Sequence, residues 1–199
     1  LDESLFWQEM VRKNAQVFAA RPITLQFLLH EFRRSGRLPN TRRDLYERGC
    51  RELCREINVT HKQSSRYQPE ERFAIAMRLA ALTVFTGSVG ISTHEFANDD
   101  EKILAAIRYG AGNREKADGL DVYVSEKAVE ETLNTALFRG GNPYQWAHKT
   151  YAEYLAAWYV IKSLSLPQIY SLIFHPSGRL IPQLEETAAW IASFKDEVF

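Results

Sequence analysis

The sequence is short of the features that usually assign a function directly. Its 25 basic and 25 acidic side chains cancel, whereas nucleic-acid-binding proteins usually carry a basic excess. No apolar run reaches the roughly 18 residues that a membrane-spanning helix needs, and no secretory signal opens the chain. We therefore predict a cytoplasmic protein that binds neither membrane nor nucleic acid. Because the chain begins at Leu1 rather than at a methionine, we also expect it to be a piece of a longer protein.

Cysteine is scarce. The two thiols, Cys50 and Cys54, lie four residues apart on one predicted helix and share its apolar face. Two thiols without nearby histidines are too few for a zinc site. Buried, reduced cysteines are typical of cytosolic proteins, so we predict no metal site.

Motifs for hydrolysis are also missing. The chain contains no Gly-x-x-x-x-Gly-Lys-Ser/Thr loop to cradle a triphosphate and no acidic strand end of the Walker B kind, and nucleotide hydrolysis needs both. It lacks the Gly-x-Ser-x-Gly elbow of many hydrolases. His94-Glu95 begins like a zinc-protease motif, but Asn98 stands where the second histidine is required. We predict that this chain alone is not an enzyme.

What the sequence does contain is helical periodicity. Hydrophobic residues make up 45% of its 199 positions, which is enough for substantial cores. Apolar residues repeat at helical spacing after several start signals, and this pattern predicts a mainly α fold. The predicted helices begin near Asp2, Pro22, Thr41, Pro69, Ser125, Leu166 and Ile181.

The middle of the chain is predicted to be less regular. Residues 93–110 indicate one or two short helices, and residues 111–119 a polar loop. Residues 122–124 indicate a short strand. Residues 137–138 and 144–147 flank a Gly-Gly-Asn-Pro turn, which predicts a β-hairpin.

The most informative stretch is WAHKTYAEYLAAWY, Trp146–Tyr159. Thr150 followed three residues later by Glu153 is the pattern of a capping box, and it predicts a helix start. The aromatic run just before it predicts a strand. His148 would then lie where the strand ends and the helix begins, a position that rigid elements hold from both sides.

This stretch resembles the end of the winged-helix domain of NACHT-type STAND NTPases, which are nucleotide-switched sensors of innate immunity and of bacterial antiphage defence. The shared pattern is aromatic-x-His-x-Thr-aromatic-x-Glu-aromatic-Leu-Ala-Ala-x-Tyr. The family usually has an aromatic residue or Gln where Ala152 stands, a departure that touches packing more than nucleotide binding.

Two further stretches are similar to the same family. Pro22–Tyr46 and the two residues after it carry Pro-x-x-Leu-x-x-Leu-Leu, Gly-x-Leu-Pro and Leu-Tyr-Glu-Arg, as does the first helical domain that follows the nucleotide-binding core. Pro182–Ile191 is similar, more weakly, to the segment that follows the winged helix in bacterial antiviral STAND proteins.

The resemblance implies a helical domain at residues 1–60, a winged-helix domain with a small β-hairpin at 66–165, and the start of a C-terminal helical sensor at 166–199. It implies that His148 contacts the β-phosphate of bound ADP and that Pro22 packs against the adenine ring. ATP and Mg²⁺ would be bound with the NTPase core of the same chain. Expected partners are that core, a protein ligand sensed through the C-terminal region, and further copies in the active oligomer.

Other interpretations stay open. Pro22 also fits a simple helix opener, and a histidine beside an aromatic strand is often structural. A winged-helix DNA-binding regulator predicts a basic recognition helix, yet residues 125–135 carry three glutamates against one lysine. A purely structural helical scaffold predicts that replacing His148 leaves nucleotide occupancy unchanged.

Overall fold

Helices dominate the chain, so the predicted mainly α class is confirmed. The chain divides into two units, Leu1–Glu52 and Leu53–Phe199. Within the part of the chain that is described, no helix is long and apolar enough to cross a membrane. The computed structural model describes residues 2–12, 19, 22–55, 66–93, 103–105, 112–117 and 119–194.

The first unit contains three described helices, the last of which continues into the second unit. They are α1 (Glu3–Arg12), α2 (Pro22–Ser35) and α3 (Arg42–Arg55). As predicted, α2 opens on its proline, whose missing N–H is no loss there. Gly36 follows α2 with a φ of 68°, a left-handed conformation that glycine adopts without steric cost. The Thr41 hydroxyl oxygen accepts the Asp44 N–H at 3.0 Å and caps α3.

Aromatic side chains fill the core of the first unit. The rings of Phe6 and Phe32 meet edge to face at 5.3 Å, and those of Phe27 and Tyr46 at 5.8 Å. Phe27 also lies against Gly49, where a Cβ atom would stand 2.8 Å from ring carbons. The glycine therefore lets α2 and α3 approach closely, and we expect any side chain there to displace the ring.

The second unit is built around two long buried helices. Its helices are α4 (Pro69–Thr86), α5 (Glu126–Leu133), α6 (Lys149–Ser163), α7 (Leu166–Ile173) and α8 (Glu185–Phe194), with a 3-10 turn at Pro182–Leu184. The long helices α4 and α6 pack against each other, and α4 also contacts α5 while α6 also contacts α8. A capping box between Gln68 and Glu71 opens α4, and Gly87 closes it. After its first turn α4 is mostly apolar, which is explained by burial on most of its sides.

Short strands complete the second unit, and its described residues hold three pairs of them. The strands are β1 (Gly90–Ser92), β2 (Ile103–Ala105), β3 (Asn113–Ala117), β4 (Leu120–Val124), β5 (Phe138–Arg139) and β6 (Gln145–Trp146). β1 pairs in parallel with β2, while β3 with β4 and β5 with β6 form antiparallel hairpins. The hairpin predicted around the Gly-Gly-Asn-Pro turn is confirmed as β5–β6. Ile91 of β1 also forms a bridge with Tyr144, just before β6.

Two predictions for the middle of the chain are wrong. Ile103–Ala105 forms a strand rather than part of a helix, because it pairs in register with Gly90–Ser92. Asn113–Ala117 forms a strand rather than a loop, because it pairs with all of β4. In both cases pairing with another strand outweighs the pattern within the segment itself. The rest of the helices predicted at 93–110 lies outside the described residues, except for Thr93.

Candidate functional site

The strand that leads into the candidate histidine is anchored to the core of the second unit. The Ala147 N–H donates to the carbonyl oxygen of Leu137 at 2.8 Å. The Trp146 indole N–H donates to the Thr83 hydroxyl on α4 at 3.1 Å, and its ring packs on Phe138 at 4.3 Å. These contacts fix the chain direction just before α6 begins.

His148 itself is the N-cap of α6. Its backbone is extended, with φ −148° and ψ 140°, and its side chain accepts the backbone N–H of Thr150. The predicted capping box of Thr150 and Glu153 is therefore wrong, because α6 starts at Lys149, two residues earlier than a cap at Thr150 would place it. The predicted position of His148, between a strand and a helix, is confirmed.

The cap assigns the proton on the imidazole ring. Nδ1 accepts the Thr150 backbone N–H at 3.3 Å, so it carries no hydrogen. The Thr150 hydroxyl lies 2.8 Å from the same nitrogen and is therefore also a donor to it. The hydrogen of the neutral ring must then be on Nε2. No partner for Nε2 occurs among the described residues, so this N–H is available to an acceptor.

The surroundings of the ring suit an anion. His148 is half-buried, so the ring is held in place but not sealed inside the core. Tyr151, which is buried, meets it edge-on at 6.1 Å. The first backbone N–H groups of α6 lie beside the ring, and the start of a helix carries partial positive charge. A phosphate oxygen is a chemically matched acceptor for such a position.

A buried carboxylate lies one turn further along α6. Glu153 has only 4% of its side chain exposed, and Lys149, 76% exposed, pairs with it at 2.9 Å. The Lys149 side chain is exposed, but its ammonium group is engaged by this ion pair. An unpaired carboxylate at the start of the helix would oppose anion binding. The ion pair with Lys149 compensates the negative charge of Glu153.

The helix behind the site is buried on nearly all sides. Its apolar residues recur at helical spacing, and four of them, Tyr151, Tyr154, Leu155 and Trp158, are buried. Ile161, at the next such position, is half-buried. Alanines 152, 156 and 157 are buried as well, so α6 contacts neighbours all round, and its first residue cannot move independently.

Pro22 lies in the other unit. It is exposed at the first position of α2, so its ring is accessible for packing against a flat partner. Pro22 and His148 belong to separate units, and each has a geometry in its own unit that is compatible with the predicted contact.

Possible metal ligands do not cluster in the part of the chain that the structure describes. In the described ranges, no group of three or more His, Cys, Asp or Glu is placed to hold an ion. Cys50 and Cys54 are buried in α3, as predicted.

Sequence reasoning missed the capping role of the histidine. A His-x-Thr sequence directly before an apolar helical run could have indicated it, but the Thr-x-x-Glu pattern offered a commoner cap. Comparisons with family models, with curated proteins and with solved structures found no match to this chain. The case for a function therefore depends on the residues themselves.

Proposed function

We propose that this chain is the regulatory helical and winged-helix segment of a NACHT-type STAND NTPase that acts in immune or antiphage signalling. In this proposal it holds the ADP-bound resting state. The Nε2–H of His148 donates to the β-phosphate, and Pro22 packs against the adenine. Exchange of ADP for ATP, together with target sensing, releases the contact and permits oligomerisation in the cytoplasm.

The tautomer of His148 is the observation that carries the proposal. Because Nδ1 is occupied by the cap, the ring presents its one N–H outward at the start of a helix. A hydrogen bond from this N–H to a phosphate oxygen has a charged acceptor, and such bonds are stronger than those between neutral groups. A ligand shifts a two-state equilibrium only through contacts that differ between the states, and a single donor on a buried helix is such a contact.

A substitution can separate the cap from the phosphate contact. Asparagine is among the best N-cap residues, so His148→Asn keeps the start of α6 but removes the ring N–H. We expect the full-length protein that carries this chain to retain about tenfold less ADP after purification, since a hydrogen bond to a charged group is worth about 1.5–3 kcal/mol. Bound ADP is measured by chromatography after denaturation.

Two matched controls exist in the chain. His175→Asn changes the other histidine that accepts a backbone N–H two residues on, and it should leave ADP retention unchanged. For the adenine contact, Pro22→Ala is compared with Pro167→Ala, since Pro167 is an exposed proline in the first turn of α7. Equal ADP retention in His148→Asn, His175→Asn and the unmodified protein would contradict the phosphate contact and favour a structural scaffold.

DNA binding is the other outcome to be tested. The exposed residues of α5, which a winged-helix regulator would place on DNA, are Glu126, Lys127 and Glu130. Their acidic excess opposes a phosphate backbone. We expect no mobility shift with duplex DNA at physiological salt, and a salt-dependent shift in the nanomolar range would replace the nucleotide-switch proposal.

A further inference from the structure

The β3–β4 hairpin has one polar and one mixed face. Its outward side chains are all exposed, and they are Arg114, Lys116, Asp121 and Tyr123. On the inner face Val122 and Val124 are buried, but the residue opposite Val122 is Glu115. A carboxylate therefore occupies the position where a hairpin that is fixed to a core would be expected to carry an apolar side chain.

Two helices supply partners for this carboxylate. Arg78 of α4 forms an ion pair with Glu115, and the Tyr159 hydroxyl of α6 donates to the same Glu115 oxygen at 3.3 Å. Burial, together with the charge of Glu115, raises the pKa of Tyr159, so the phenol keeps its proton and remains a donor. These three side chains, which we term the Glu115 clasp, join the hairpin to both long helices.

Packing around the Glu115 clasp is incomplete. A space open to solvent lies between the hairpin and the helices, with Met77, Glu115 and Tyr159 among its lining residues. Water that reaches this space competes with the bonds of the clasp. A region that is attached to its neighbours through polar groups near solvent opens at lower free energy than a close-packed core.

The hairpin has a defined hinge. β4 runs directly into Ser125, whose hydroxyl oxygen accepts the Ala128 N–H at 3.1 Å as the N-cap of α5. The same hydroxyl lies 2.7 Å from the phenol oxygen of Tyr67. Ser125 is thus pinned, while the clasp lies further out along the hairpin, opposite Val122.

We propose that the β3–β4 hairpin is a flap that the Glu115 clasp closes over α4 and α6, and that it swings on Ser125 without unfolding of the two helices. Opening exposes Val122, Val124 and the surface of α4 and α6 beneath them. This conformational device does not depend on nucleotide binding at His148.

Hydrogen exchange of the whole chain tests the flap. In the unmodified protein, backbone amides of β3 and β4 should exchange by a local opening that depends little on denaturant, whereas those of α6 should require global unfolding. Glu115→Gln removes the ion pair at nearly constant shape, and we expect it to speed exchange in the hairpin about tenfold more than in α6. Tyr159→Phe removes only the hydroxyl and should give a smaller change in the same direction.

The control lies on the other face of the same hairpin. Arg114 and Asp121 form an exposed ion pair at 2.8 Å, so Asp121→Asn should change hairpin exchange less than about twofold. The flap is refuted if Glu115→Gln and Tyr159→Phe speed exchange equally in the hairpin and in α6. It is also refuted if the unmodified hairpin shows the same denaturant dependence as α6. Should Glu115→Gln not fold, Tyr159→Phe and the unmodified protein still decide the outcome.

Discussion

Two of the histidines that the structure describes lie in nearly the same local turn, with different surroundings. In His148-Lys149-Thr150 and in His175-Pro176-Ser177, Nδ1 accepts the backbone N–H two residues on at 3.3 Å. The hydroxyl of the second residue lies 2.8 Å from Nδ1 in the first turn and 3.1 Å in the second. Each turn therefore directs Nε2–H away from the backbone.

The two turns differ in the structure on their C-terminal side. His148 begins a helix of 15 residues, most of which are buried, whereas the exposed His175 enters a turn closed by the Gly178 N–H, which donates to the His175 carbonyl at 2.8 Å. Of the two, only His148 lies at the N-terminus of a helix, and that helix is held in place by burial. Local sequence thus sets the tautomer, while tertiary packing decides whether the donor can act as an anion site.

The largest expected difference between the two turns is in the packing behind them. Leu155 is fully buried in α6, so Leu155→Ala should lower the free energy of unfolding by about 2–5 kcal/mol. Leu180, which bridges to Phe174 across the His175 turn, is only half-buried, and Leu180→Ala should cost less than about half as much. Urea denaturation measures both, and equal costs would remove the contrast in packing.

The second-largest difference is expected in the free energy of unfolding that is lost when each histidine is replaced. His148→Ala removes an N-cap and should cost about 1 kcal/mol of unfolding free energy, while His148→Asn should recover most of it. His175→Ala, in an exposed turn, should fall within about 0.5 kcal/mol of the unmodified protein. If His148→Asn is as unstable as His148→Ala, then the ring contributes through packing on Tyr151 rather than through the cap.

A smaller effect is expected from the hydroxyl groups. Thr150→Val keeps the backbone N–H that the His148 ring caps, but it removes the buried hydroxyl that also donates to Nδ1. We expect this to lower the free energy of unfolding by about 0.5–1.5 kcal/mol. Ser177→Ala makes the matching change at an exposed position and should be close to neutral. Thermal denaturation of the two variants side by side gives the comparison, and a cost at Ser177 equal to that at Thr150 would contradict it.

The smallest effect should be a dependence on alkaline pH. Burial and Glu130 raise the pKa of Tyr144 above its ordinary value of 10.0. Since the folded state holds this proton more tightly than the unfolded chain, the stabilisation is present below about pH 10 and is lost as pH rises through the raised pKa. Tyr144 lies four residues before His148, and its hydroxyl donates to Asn134 at 3.3 Å. Urea midpoints between about pH 9 and pH 11 should fall less steeply in Tyr144→Phe.

The sequence predicted most of the helices because their signals are local. Pro22, Ser125 and Gly87 each begin, cap or end a helix for reasons contained within a few residues. The hairpin β5–β6 was predictable for the same reason, since its turn residues adjoin both strands. The position of His148 followed from these two local features.

What the sequence did not predict depends in part on distant partners. Asn113–Ala117 is polar, and it becomes a strand only through its pairing with β4. Its Glu115 is held by Arg78 and Tyr159, which lie 37 and 44 residues away, and no spacing rule indicates such contacts. The Glu153 carboxylate was assigned to a cap, but α6 starts at Lys149, which takes the carboxylate instead at i,i+4 spacing. That second pairing is local, and it was missed because the start of the helix was misplaced.

The stiffness of α6 has one further consequence. Lys149 and Tyr159 lie about 15 Å apart along its axis, at a rise of about 1.5 Å per residue, and the helix between them is close-packed on nearly every side. A helix packed in this way keeps its two ends at a fixed separation. The proposed flap can therefore open at Tyr159 while the imidazole beside Lys149 keeps its position, although both depend on the same helix.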